Sequence, residues 1–216
     1  MIESVQQLID IFLHLDRYLG MIINIYGTET YLILFAVIFL ETGLVVTPFL
    51  PGDSLIFAAS TFAALGMLNI YTLVFGLIIA AILGDTVNYE IGRLLGKKML
   101  ESKKIKFIKQ EHLNKTNSFY EKHGGKTIIF ARFIHIVRTI APFVAGIGKM
   151  SYSHFITFNA VGGMLWVSLI SILGYFFGNF QIVKNNFSIV IIAVILISVA
   201  PAIIQVLKTK FQAVQD

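Results

Sequence analysis

The chain has no cysteine, which removes disulfides, iron–sulfur clusters and thiolate zinc sites. It is also poor in charge. Asp, Glu, Lys and Arg make up 13% of the 216 residues, where a soluble domain carries about 25%. With 56% hydrophobic residues and a mean hydropathy of +0.81, that excludes an ordinary soluble enzyme and excludes disorder, which needs low hydrophobicity. Collagen and coiled coil fail for want of a repeat. Enzymatic signatures are missing too: no HExxH, no GxSxG, no P-loop. Ser54 stands beside Asp53 without an evident histidine base, and no His or carboxylate cluster is spaced for a metal. No metal, no cofactor and no enzymatic activity are expected. What remains is an all-α integral membrane protein, one transmembrane domain over 1–216.

Charge is also unevenly placed. Residues 93–126 hold ten Lys/Arg and three Glu, a local +7 in a chain of net +5, so the rest sums to −2. Between Arg17 and Arg93 there is no basic residue at all. In so apolar a chain the block reads as a cytoplasmic loop under the positive-inside rule, and a nucleic-acid partner is not expected. Residues 1–27 lack a basic n-region and carry Asp10, Asp16 and Arg17, so they read as an amphipathic helix at the interface, not a signal peptide.

Apolar segments follow at 30–47, 53–66, 70–95, 127–141, 153–177 and 185–207. A spanning helix needs about 20 apolar residues. Segments 70–95, 153–178 and 185–207 meet this. Segments 53–66 and 127–141 are short and adjoin Pro/Gly loops, the pattern of re-entrant half-helices. The helix through 127–141 is expected to stop before Pro142. If 127–149 dips into the membrane and returns, Lys149, Lys208 and Lys210 all join the basic block in the cytoplasm; if it spans, all three lie outside. Charge therefore favours a hairpin at 127–149 and, by analogy, an opposed one at 30–67. The tips echo each other, Thr47-Pro48-Phe49-Leu50-Pro51-Gly52 and Ala141-Pro142-Phe143-Val144-Ala145-Gly146. Each is followed by a long helix with Gly-xxx-Gly, at Gly92/Gly96 and Gly174/Gly178. The expected fold is an inverted repeat of two opposed re-entrant hairpins plus spanning helices.

Ionisable groups at membrane depth carry the chemistry, since each costs at least ~2.5–3.5 kcal/mol at the bilayer centre. Arg132, His135 and Arg138 spread over about 120° of one helix face. Arginine matches phosphate bidentately and stays charged at any pH. The pair Arg132/Arg138 is either an anionic head-group site, a buried ion pair with Glu41 or Asp53, or both. Glu41, inside an apolar helix, is a proton site or an arginine partner. Asp53 follows Pro51-Gly52 and opens a helix, as a cap or as a second functional carboxylate. Asp85 lies deep enough to line a cavity, and His135 is a candidate proton relay. Glu90 and Arg93 are placed for an interfacial i, i+3 pair, and His154 belongs near a helix start.

Phe39-Leu40-Glu41-Thr42-Gly43, Pro48-Phe49-Leu50-Pro51-Gly52-Asp53-Ser54, Gly84-Asp85 and Arg132-Phe133-Ile134-His135-Ile136-Val137-Arg138-Thr139, with Pro142 and Ala145-Gly146, resemble the DedA family, also called the VTT or SNARE-associated-domain family. The resemblance covers about 30–180. It implies a lipid transporter of the cytoplasmic membrane with re-entrant hairpins and dependence on proton motive force. The cargo it implies is undecaprenyl phosphate, returned for carrier-lipid recycling. Its functional carboxylates fall on Glu41 and Asp53, and its functional arginines on Arg132 and Arg138. The alternatives are a phosphatidylethanolamine scramblase, a proton-coupled antiporter, a lipid-phosphate hydrolase and a structural membrane component. The expected partners are an anionic lipid and the membrane, with a homo-oligomer left open.

Overall fold

The computed structural model describes residues 15–44, 52–101, 125–148, 150–178, 180 and 193. Among them every regular element is helical. In chain order these are α1 (Leu15–Tyr26), a 3-10 turn (Gly27–Glu29), α2 (Thr30–Gly43), α3 (Gly52–Ala64), α4 (Ile70–Glu101), α5 (Lys126–Ala131), α6 (His135–Ile147) and α7 (Tyr152–Gly178). The hairpin tip at 45–51, most of the basic block, Lys149 and all but residue 193 of the segment expected at 185–207 lie outside the described residues.

Three runs are long and apolar enough to cross a membrane: Arg17–Gly43, Ile70–Leu95 and Tyr152–Gly178. The first joins α1 to α2 through the 3-10 turn, where Gly27 takes φ 51°, a backbone that only glycine adopts without strain. The helical run thus continues past the expected end of the interfacial helix at 27.

Burial is arranged for lipid. Buried positions include Glu41, Thr42, Ser54, Ser60, Thr61, Asp85, Asn88, Arg132, Arg138, Asn159 and Ser171, whereas Leu32, Tyr71, Phe75 and Phe176 are exposed. Polar groups inside and large apolar groups outside suit a hydrocarbon solvent, in which only the polar groups need shelter.

The chain divides into two compact units that interleave along the sequence. The first holds described residues within 1–37, 50–77 and 167–216. Here Leu19 and Ile23 of α1 are buried, and Gly20 faces the Phe62 ring of α3. The Thr61 hydroxyl donates to Phe57 O (3.1 Å) within α3 and to Gly174 O (2.9 Å) of α7. A Cβ on Gly174 would stand 3.0 Å from Phe57 Cα, and one on Gly178 2.6 Å from Thr61 Cγ2. This Gly-xxx-Gly stripe therefore packs two backbones together. Asn69 starts α4, its Oδ1 accepting from the N–H groups of Tyr71 (3.0 Å) and Thr72 (3.1 Å).

The second unit holds described residues within 38–49 and 78–166. Gly84 lets the end of α2 lie against α4, since a Cβ there would meet Thr42 Oγ1 and, at 2.7 Å, Phe39 O. Gly92 meets the Phe143 backbone and Gly146 the Tyr89 backbone, so α4 and α6 approach equally closely. Tyr89 stacks on Phe155 with centroids 4.4 Å apart, and its hydroxyl donates to Met150 O.

One expectation is overturned in this unit. The helix does not stop before Pro142; α6 runs through it to Ile147. Proline removes one N–H, and the following turns keep their bonds, Gly148 N–H reaching Val144 O at 2.8 Å. The break falls earlier, at 132–134. The N–H groups of Arg132, Phe133 and Ile134 bond three residues back, and Ile134 is extended (φ −116°, ψ 106°). In an unbroken helix Arg132 and Arg138 would point about 120° apart. The break frees them to turn to a common neighbour.

Candidate anion site

The second unit gathers four ionisable groups. Arg138, on α6, donates from Nη2 to Glu41 Oε1 near the end of α2. Arg132, at the break between α5 and α6, donates from Nη2 to Asp85 Oδ2 on α4 and to Asn159 Oδ1 on α7. All four ion-pair side chains are at most 1% exposed. Lone charges so deep would be too costly, and paired they are tolerated.

Neutral groups hold the frame. Asn159 Nδ2 donates to Ile82 O (3.1 Å), which fixes its Oδ1 toward Arg132. Asn88, one turn beyond Asp85, donates to Thr42 O (3.2 Å) and Thr139 O (2.8 Å). It therefore ties the residue after Glu41 to the residue after Arg138. Trp166 is 1% exposed, and both guanidiniums lie over its ring, Arg138 Cζ at 4.4 Å and Arg132 Cζ at 6.0 Å from the centroid.

Some hydrogen-bonding capacity is left over. Among the described residues, buried Arg132 Nε and Nη1 and Asp85 Oδ1 have no hydrogen-bond partner. Buried donors are normally satisfied. Two spare guanidinium N–H positions beside a second buried guanidinium are chemically suited to an anion's oxygens.

The other sequence candidates fall elsewhere. Asp53 is half-buried in the first turn of α3, where a helix N-terminus favours a carboxylate, and it belongs to the first unit. His135 is the first residue of α6, and its side chain lies outside the described residues. Asp85, read as lining a cavity, is the ion-pair partner of Arg132. Glu90 and Arg93 pair at 2.8 Å toward the exposed end of α4. His154 is exposed at the start of α7. Among the described residues no three His, Asp or Glu are gathered as a metal site. Asn88, Asn159 and Trp166 were not singled out from sequence; an amide inside an apolar helix was the available signal for the first two.

Comparison with known proteins places this geometry in context. Residues 50–176 match the VTT domain family. The chain is 51% identical over 205 residues to Protein DedA of Escherichia coli strain K12, covering 94% of each chain. It is 39% identical over 168 residues to the uncharacterized membrane protein ML0287 of Mycobacterium leprae, covering 78% of this chain and 75% of that one. It is 34% identical over 148 residues to the inner membrane protein YqjA of Escherichia coli strain K12, covering 68% and 67%. No solved structure matches.

Proposed function

The chain belongs to the DedA family of VTT-domain proteins, a multi-pass protein of the cytoplasmic membrane, and on that premise we propose that it is a lipid flippase for an anionic, phosphate-bearing lipid. The observation that carries the reading is the pair of buried arginines, one with Nε and Nη1 unpartnered among the described residues. The cargo is undecaprenyl phosphate, moved to the cytoplasmic leaflet for carrier-lipid recycling. Its tail stays in the bilayer, and only the head group needs the polar path.

Charge arithmetic supplies the coupling. Arg132, Arg138, Asp85 and Glu41 sum to zero when all are ionised. A phosphate monoester brings about −1.5 to −2 charges. Buried without compensation, that excess is prohibitive. The arginines cannot change charge, so the carboxylates must take up protons as the phosphate enters. Glu41 is the proposed proton-coupling carboxylate of the cluster, with Asp85 answering to Arg132; Asp53, in the first unit, is proposed as a second proton carrier. Lipid phosphate and protons then move inward together, down the proton motive force. Segments 30–67 and 127–149 are the proposed opposed re-entrant hairpins.

The test is equilibrium binding of undecaprenyl phosphate and of phosphatidylethanolamine to the purified protein, with phosphate release followed in parallel. Saturable binding that prefers the polyprenyl phosphate, with no release, is expected. Preference for phosphatidylethanolamine would move the reading to a phospholipid scramblase. Phosphate release would mean a hydrolase, and binding of neither lipid would leave the buried charges an assembly role.

A further inference from the structure

Asn159, Gly162, Gly163 and Trp166 stand at i, i+3, i+4 and i+7 on α7, one face of that helix. Three of them meet Arg132. Asn159 accepts from Nη2. A Cβ on Gly162 would lie 3.0 Å from Arg132 Cδ and 3.2 Å from Nε, and one on Gly163 3.5 Å from Cζ. The two glycines form a notch in which the side chain lies. Trp166, at the end of the stripe, offers its ring to both guanidiniums and more closely to Arg138.

A guanidinium has two kinds of surface. Its edges carry the N–H groups that grip a carboxylate or phosphate, and its faces carry none. A ring on a face therefore leaves the edges available, and tryptophan is the aromatic that attracts a cation most strongly. This matters because Arg138 is 2% exposed. If Glu41 releases it to a phosphate, no bulk water steadies the cation during the exchange. The ring attracts the cation most once Glu41 has let go of it, so its hold is greater in the phosphate-taking state than in the Glu41-paired one.

We infer that Trp166 is a positioning residue of the anion site, holding Arg138 by its face so that its edge can pass between Glu41 and a phosphate oxygen. The inference rests on the proposed anion-carrying role. It differs from a space-filling role for Trp166 in depending on the electron density of the ring, not on its shape.

Trp166 is the only tryptophan in the chain, so growth on fluorinated tryptophan alters this one ring and no other. A series from unfluorinated through mono-, di- and tetrafluorotryptophan drains the ring face step by step at nearly constant shape. Binding of farnesyl monophosphate to each detergent-solubilised protein is measured by calorimetry, together with its thermal midpoint. Affinity is expected to fall with each fluorination step, by about tenfold across the series, while the midpoint stays level. Inorganic phosphate should show the same gradient at lower affinity, and farnesol none. Affinity for farnesyl monophosphate that is strong and flat across the series overturns the positioning role and leaves the functional reading standing. A gradient for farnesol would show that the ring touches the tail, and overturns it likewise. Unfluorinated protein that binds neither phosphate overturns the functional reading and this inference together.

Discussion

Removing one partner of the Asp85–Arg132 pair should have unequal consequences depending on which partner goes. Both side chains are 1% exposed. Breaking a buried pair by deleting one member typically costs about 3–5 kcal/mol, because a charge is stranded. In Asp85→Ala the stranded group is Arg132, which cannot lose its proton. It keeps Asn159 and the Trp166 face, so the lower end, about 3 kcal/mol, is expected. In Arg132→Met the stranded group is a carboxylate, which can neutralise by taking a proton, and Met fills similar volume. That variant should lose only about 1–2 kcal/mol, the cost of an unmade hydrogen bond. The double variant strands nothing and should be more stable than Asp85→Ala alone, a non-additivity of at least about 1 kcal/mol. Reversible unfolding in mixed micelles with increasing dodecyl sulfate reads all four proteins of the cycle. Equal losses for the two single variants that simply add in the double would show that the pair contributes no coupling.

Arg138→Lys keeps the charge and loses the planar fork; if phosphate is gripped bidentately, transport should fall nearly as far as in Arg138→Ala while the folded yield is kept, and restoration by Lys would mark a mere counter-ion. Glu41→Gln holds its shape but cannot ionise, so transport should lose its response to a pH gradient while phosphate binding persists in part. Equal loss of binding and of folded protein in that variant would mark a structural salt bridge. Single cysteines placed at Lys103, Lys149 and Lys208 in this cysteine-free chain should label only from the cytoplasmic side; labelling of Lys149→Cys from outside alone would remove the hairpin at 127–149.

The membrane class and the helices α2, α3, α4 and α7 are legible as apolar runs bounded by Pro, Gly or Asn. Buried charge was legible for the same energetic reason: Glu41, Asp85, Arg132 and Arg138 stand out where charge is expensive. Partnership was legible only in part: a carboxylate partner was expected for the arginines, and Glu41 meets Arg138, but Asp85 was not expected as the partner of Arg132. Asp85 and Arg132 are 47 residues apart, and no spacing rule along one helix reaches that far. Pro142 misled because proline ends helices in water more reliably than among packed membrane helices. The break instead came at 132–134, where nothing in the residue types demands one and the direction in which Arg132 must point is set by α4 and α7. Asn88, Asn159, Gly162, Gly163 and Trp166 were passed over because each is unremarkable alone. Their meaning lies in which arginine or carbonyl the fold brings to them.

In the proposed mechanism a lipid phosphate and protons cross together through the arginine pair. Proteoliposomes containing this protein alone, loaded with a traceable polyprenyl phosphate in the outer leaflet, test it when an inwardly directed proton gradient is imposed. The lipid phosphate is expected to accumulate in the inner leaflet beyond equilibration, that excess to collapse with a protonophore, and Arg138→Ala to move none. Movement that only equilibrates the leaflets, whatever the gradient, would contradict the coupling, and movement undiminished in Arg138→Ala would contradict the site.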